Sequence, residues 1–171
     1  VGYGAACRRA IAHLEALPRP PDAVVFMAPD GSDDPADIPA LLQPIRSGNA
    51  ELVVAVRSGE EEGGGRASGG VAERVALGLI GLIYRHQFGD LAGFRAIRFP
   101  ALVALGLSDR AAGWNVEMQV KALRFGLRIA EVPVARREAH AAPGSRVAEL
   151  RDSVSSAGRM LLQILRHATA R

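Results

Sequence analysis

The sequence predicts an α/β domain. Three observations carry the prediction: segments with helical spacing alternate with short continuous apolar runs, those runs are too short to be buried helices, and 19 Gly and 10 Pro punctuate the alternation. Helix, strand, helix, strand in the first 60 residues is the pattern of a parallel sheet with right-handed crossovers.

Residues 4–17 place Ala6, Ala10, Leu14 and Leu17 on one helical face, and Pro18 and Pro20 end the run. The apolar run at 23–27 suits a strand covered on both faces. Asp34-Pro35 opens a helix to about residue 47, with Pro35 at the first turn where its missing N–H costs nothing; Pro44 predicts a kink or two short pieces. Residues 51–56, ELVVAV, form a second buried strand. The stretch 58–70, SGEEEGGGRASGG, cannot pack and is expected to be a lid or a surface insertion.

A helix is expected over 72–88, a strand over 93–97, a short helix over 100–107 and a helix over 114–125 that Gly126 ends. Residues 128–135 alternate as a strand, which Pro133 restricts to an edge or a bulge. Residues 147–168 read as a long amphipathic helix with Leu150, Val154, Leu161, Leu162 and Leu165 apolar. Its arginines suit a membrane surface, and the plainer reading is a helix packed on the sheet. The apolar stretch 75–83 is too short to span a bilayer.

With 171 residues, 49% hydrophobic and 23% charged, the chain is expected to be one globular domain. Only 5% is aromatic, against base-stacking recognition of nucleic acid. Cys7 is the one cysteine, so an internal disulfide and a multi-cysteine zinc site are excluded. The net charge of +3 hides an asymmetry: residues 1–120 carry 11 basic and 14 acidic side chains, net −3, and residues 121–171 carry 10 and 4, net +6. The basic end would draw a phosphate, an anionic lipid surface or a nucleic acid. Twenty of the 21 basic residues are Arg.

In open α/β sheets ligands bind beyond the carboxyl ends of strands. After the first strand stand Asp30, Asp33, Asp34 and Asp37, four acids in eight residues, which suit a hard divalent cation shared with substrate phosphates. Asp34 and Asp37 read better as helix caps and Asp30 as the site residue.

These residues carry a resemblance. VVFMAPDGSDDPADIPALL at 24–42 is similar to the metal-motif region of family 2 glycosyltransferases of GT-A fold, in particular the dolichol-phosphate mannosyltransferase-like and polyprenyl-phosphate glycosyltransferases. The likeness continues through GYGAA at 2–6, VVAVR ending at Arg57, DLAGFRAIR at 90–98, GWNVEMQVKALRFGLRIAEVPV at 113–134 and PGSR at 143–146. It implies a mixed, Rossmann-like sheet flanked by helices, with two strands and a nucleotide-recognition motif expected before Val1.

The resemblance further implies transfer of a hexose from a nucleotide diphosphate sugar, of UDP-glucose or GDP-mannose type, to a polyprenyl phosphate. Mg or Mn would assist, and the enzyme would be cytoplasmic, peripheral at the inner face of the membrane. Asp30 would hold the metal, with Gly2, Gly4, Asp30 and Ser32 around the nucleotide sugar. Asp90 and Glu117 would flank sugar and acceptor as the catalytic pair, Glu117 reading alternatively as the i,i+4 partner of Lys121. Arg57, Arg95, Arg137, Ser145 and Arg146 would grip the acceptor phosphate through guanidinium forks and a hydroxyl, Arg95 reading alternatively as an exposed strand residue. Gly93 suits close backbone approach to a ligand. The motif departs from the family at Ala28-Pro29-Asp30, where its first acid is replaced by Ala28. That departure motivates a competing expectation, a degenerate domain that binds a ligand or partner without turnover.

Overall fold

The computed structural model describes residues 2–58, 71–91, 93–110 and 113–135. Of the expected loop at 58–70 only Ser58 is described, as the last residue of a strand; residues 59–70 and the segment from 136 onward, where the amphipathic helix is expected, lie outside them. Helix α1 (Tyr3–Glu15) leads to strand β1 (Ala23–Phe26); after a 3₁₀ turn at Pro35–Asp37 come helix α2 (Ile38–Arg46) and strand β2 (Leu52–Ser58). Then follow α3 (Val71–Tyr84), β3 (Arg95–Arg98), α4 (Phe99–Leu105), α5 (Trp114–Arg124) and β4 (Ile129–Ala135).

The strands form one sheet in the order β1-β3-β2-β4. β2 and β4 are parallel, with Val53 opposite Ala130, but β3 runs antiparallel to both β1 and β2. The sheet is the mixed one that the resemblance implies: β1, β2 and β4 share one direction, as the helix-strand alternation of the first 60 residues predicts for β1 and β2, and β3 lies between β1 and β2 and runs against them. Apolar runs reveal burial on both faces and carry no information on direction.

Alternation along the strands sorts side chains to two cores. Leu52, Val54 and Ile97 face α1, α3, α4 and α5 through Cys7, Ala76, Ile80, Leu102, Trp114 and Met118. Val53, Ala55, Phe94 and Ala96 face α2 through Leu41 and Ile45. Leu52 to Ala55 have no exposed surface, and each large apolar side chain so buried contributes about 1.5–3 kcal/mol.

Local signals explain the boundaries. The expected helix after Asp34 is two pieces, broken ahead of Pro39 with Pro44 accommodated in the last turns. α4 stops at Leu105 because Gly106 takes the left-handed conformation, φ 54°. Gly126, φ 66°, follows α5 as expected. β4 is the outermost strand described on its side, where Pro133 is tolerated.

Candidate functional site

The register fixes where the candidate residues gather. Arg95 opens β3 opposite Phe26 at the end of β1 and Val54 in β2, so the carboxyl ends of β1, β2 and β4 and the start of β3 share one edge. The loop after β1, the end of β2 at Arg57 and the turn before β3 all meet there.

In the loop after β1, Asp30 is exposed and its Oδ1 accepts the Ser32 amide at 3.0 Å and the Ser32 hydroxyl at 2.6 Å. The Ser32 hydroxyl and amide hold the Asp30 carboxyl below its ordinary range, with a smaller contribution from Arg57. Asp33 is the residue the sequence reading left without a role. It is buried, its Oδ2 accepts the Ala28 amide at 2.8 Å, and its Oδ1 accepts Arg57 Nη2 at 3.0 Å. One carboxylate thus closes the 28–33 loop on itself and ties it to β2. Asp34 caps the 3₁₀ turn by accepting the Ala36 amide at 3.0 Å. Asp37 makes no such side-chain bond at the start of α2, so its capping reading is corrected.

The turn before β3 is held from beneath. Arg95 has no exposed surface; its Nε donates to the Gly93 carbonyl at 3.3 Å, Nη1 to Asn115 at 3.1 Å and Nη2 to Leu91 at 3.4 Å. Burial brings its guanidinium down to about 10, opposed by Tyr3, Asp90 and Cys7, so it stays charged at neutral pH. The expected acceptor-phosphate contact and the alternative of an exposed strand residue are both corrected: this guanidinium is committed to backbone carbonyls inside the protein. Gln119 Nε2 donates to the Asp90 carbonyl at 3.1 Å, and the Gly89 amide donates to Glu131 on β4 at 2.7 Å. Asp90 lies at the expected edge, but its side chain is closed off, 2% exposed.

Gly93 has an ordinary backbone and space for a Cβ, whose nearest neighbour would be Asn115 Nδ2 at 3.6 Å. Asn115, which the sequence reading did not single out, keeps its side-chain oxygen enclosed with no hydrogen-bond partner among the described residues.

Glu117 stands in the first turn of α5. It has no exposed surface and accepts the Ser108 amide at 3.0 Å, the Ser108 hydroxyl at 2.8 Å and the Asp109 amide at 2.7 Å, and it pairs with Lys121 at 2.9 Å. Burial pushes its carboxyl upward, yet the Asp109 amide, Lys121 and Ser108 together outweigh it and hold the carboxyl low. Its catalytic reading is corrected to an anchor for the 108–109 loop. That loop in turn meets Gly4, where a Cβ would collide with the Asp109 carbonyl. The glycine thus serves a close helix-to-loop contact. Gly2 is the exposed N-cap of α1. Arg137, Ser145 and Arg146 lie outside the described residues.

A divalent cation is implied by the resemblance. Asp30 and Ser32 offer one carboxylate and one hydroxyl, both hard oxygen donors, in the open. Asp33 is engaged, and no group of three His, Cys, Asp or Glu suited to a metal gathers among the described residues. This set fits a cation held mainly by substrate phosphates and water, with Asp30 as its protein ligand.

No family model matches the chain. It is 34% identical over 127 residues to the undecaprenyl-phosphate mannosyltransferase of Micrococcus luteus, matching 69% of this chain and 50% of that protein. It is 31% identical over 141 residues to an uncharacterized glycosyltransferase of Mycobacterium tuberculosis, matching 78% of this chain and 58% of that one. A match to glycosyltransferase AglD of Haloferax volcanii is 32% identical over 117 residues, 66% of this chain and 19% of that protein. The chain therefore spans from a fifth to just over half the length of these curated relatives. Among solved structures, glucosyl-3-phosphoglycerate synthase from Mycobacterium tuberculosis with Mn²⁺, UDP-glucose and phosphoglyceric acid superimposes with TM-score 0.73 at 21% identity, covering 98% of this chain and 55% of that one. The fold is that of GT-A nucleotide-sugar transferases, and the similar proteins are glycosyltransferases.

Proposed function

We propose that the chain is the acceptor-side and metal-side portion of a family 2 glycosyltransferase that moves a hexose from a nucleotide diphosphate sugar to a polyprenyl phosphate. The observation that carries this reading is the convergence of Asp30, the Asp33–Arg57 pair and the 89–94 turn at one sheet edge. The mannosyltransferase relative, whose name specifies undecaprenyl phosphate, supports the acceptor.

The chemistry asks little of a base. A phosphate acceptor is already anionic at neutral pH, so transfer depends on positioning and on neutralising charge. When bound, a divalent cation such as Mg or Mn would neutralise the donor diphosphate. Asp30 would hold it, kept ionised by Ser32. Arg57, fixed by Asp33 at the end of β2, presents a guanidinium to a phosphate oxygen, a geometry for which its fork is suited. Arg137, Ser145 and Arg146 belong to this acceptor grip by resemblance. Among the described residues no helix is long and apolar enough to cross a membrane.

The test is a transfer assay on the full-length protein with UDP-glucose or GDP-mannose, Mg²⁺ or Mn²⁺, and either a polyprenyl phosphate or 3-phosphoglycerate. Sugar appearing on the polyprenyl phosphate is the expected result; sugar appearing only on phosphoglycerate overturns the acceptor. A second reading is favoured by Ala28, which removes one carboxylate from the metal motif, and by the enclosure of Asp90 and Glu117. In that reading the domain binds its ligand without turnover, and nucleotide-sugar binding with no transfer to either acceptor would establish it.

A further inference from the structure

We propose that Arg95 is a positioning residue that locks Leu91 and Gly93 to the start of α5, setting the separation between two walls of the acceptor side. What the walls enclose rests on the glycosyl-transfer reading; the lock itself is a matter of hydrogen bonds.

One side chain serves three carbonyls from two segments far apart in sequence. Nε and Nη2 take Gly93 and Leu91 on one wall, and Nη1 takes Asn115 on the other. Gln119, also without exposed surface, adds the Asp90 carbonyl from the α5 side. These carbonyls belong to a turn and a helix start, and a buried carbonyl left without a donor is costly. The planar fork of arginine reaches several acceptors at fixed angles, which an ammonium cannot reproduce.

Between the walls the fold leaves something unused. Neither backbone strain nor packing requires glycine at 93, and the space a Cβ would fill borders the Asn115 side chain, whose oxygen lacks a partner among the described residues. The two segments that Arg95 joins thus bring the bare backbone of Gly93 against the Asn115 side chain, and their spacing depends on the bonds that hold them. Arg95 itself cannot touch a substrate, since it has no surface. It sets the spacing through the carbonyls it holds, and a misplacement of about 1 Å at such a site can cost a hundredfold in rate.

The experiment uses the full-length protein with Arg95→Met and Arg95→Lys. Amide exchange is followed at 90–94, 114–119 and β2, alongside steady-state transfer to polyprenyl phosphate. In Arg95→Met, exchange should rise by about tenfold in both wall segments together with β2 unchanged, kcat should fall by about tenfold or more, and the donor KM should stay within about twofold. Arg95→Lys should show the same signature at smaller amplitude, and it alone decides if the Met variant does not fold. Unchanged exchange at the walls, opening of only one of them, or a donor KM that rises in step with the fall in kcat overturns the lock. If the parent protein transfers no sugar, the glycosyl-transfer reading fails, and the exchange data still decide whether Arg95 couples the two segments.

Discussion

Arg57 Nη2 donates to Asp33 Oδ1 at 3.0 Å across the mouth of the sheet, joining the loop after β1 to the end of β2 over the intervening start of β3. Asp33 is nearly closed to solvent and Arg57 is about one quarter exposed, so the pair has a rigid partner and an available one. The arrangement holds a cation at the edge without a ligand and keeps it reachable.

Replacing Asp33 with Ala should therefore act on the loop and the cation together. Loss of the bonds to Ala28 and Arg57 should destabilise the protein by about 1–3 kcal/mol. A double-mutant cycle with Arg57→Ala, followed by urea denaturation, should give a coupling energy of about 1 kcal/mol, and a coupling near zero would show that the pair does not act as a unit.

Ser32→Ala tests how Asp30 is kept charged. The Ser32 hydroxyl and amide lower the Asp30 carboxyl, so removing the hydroxyl should move its titration upward toward the ordinary range. A group with a lowered pKa keeps its charge to lower pH; Mn²⁺-dependent binding of the nucleotide sugar should then fade at a higher pH in the variant than in the parent. Carboxyl NMR titration and binding calorimetry across pH 3–6 measure both, and identical profiles would remove Ser32 from the site.

Glu117→Gln separates anchor from catalyst. Breaking a buried, paired carboxylate should cost about 2–4 kcal/mol. Because the folded-state pKa lies below the unfolded value, the stabilisation from ionised Glu117 is fully present above the unfolded value near 4.5 and is lost as pH falls through the folded pKa. The parent should lose stability on acidification more steeply than the variant. Equal acid sensitivity, or a Gln variant with parental stability, would contradict the anchor.

Two glycines should behave oppositely. Gly4→Ala brings a Cβ against the Asp109 carbonyl and should cost about 1–3 kcal/mol. Gly93→Ala meets nothing nearer than 3.6 Å and should alter stability by only about 0.5 kcal/mol while lowering sugar transfer. Thermal melts and transfer assays on both variants check the contrast; a destabilised Gly93→Ala would mean that the glycine is there for packing.

Much of the fold is legible from local signals. Gly126 ends α5 and Pro133 marks an edge strand, because each acts through its own backbone. The reversed direction of β3 is not legible, since direction is set by how the chain crosses the sheet. The site divides the same way. The Asp34 cap and the Glu117–Lys121 pair are short-range and readable from spacing. Arg95 is not, because one of the carbonyls that draw it inward lies 20 residues away on α5. Asp33 looks like its neighbours Asp30 and Asp34, and only the approach of β2, 24 residues later, distinguishes it.

The burial of Arg95 also divides the edge by its response to ionic strength. Dissolved ions weaken attractions they can surround, with a screening length of about 10 Å at 0.1 M salt, and leave enclosed contacts largely untouched. The Asp33–Arg57 tie has a solvent-facing partner and lies within that reach; the carbonyls of Leu91 and Gly93 that Arg95 gathers do not. Concentrated salt should therefore slacken the loop after β1 while the contacts beneath Leu91 and Gly93 keep their shape, so that the two sides of the edge become separable by electrolyte alone.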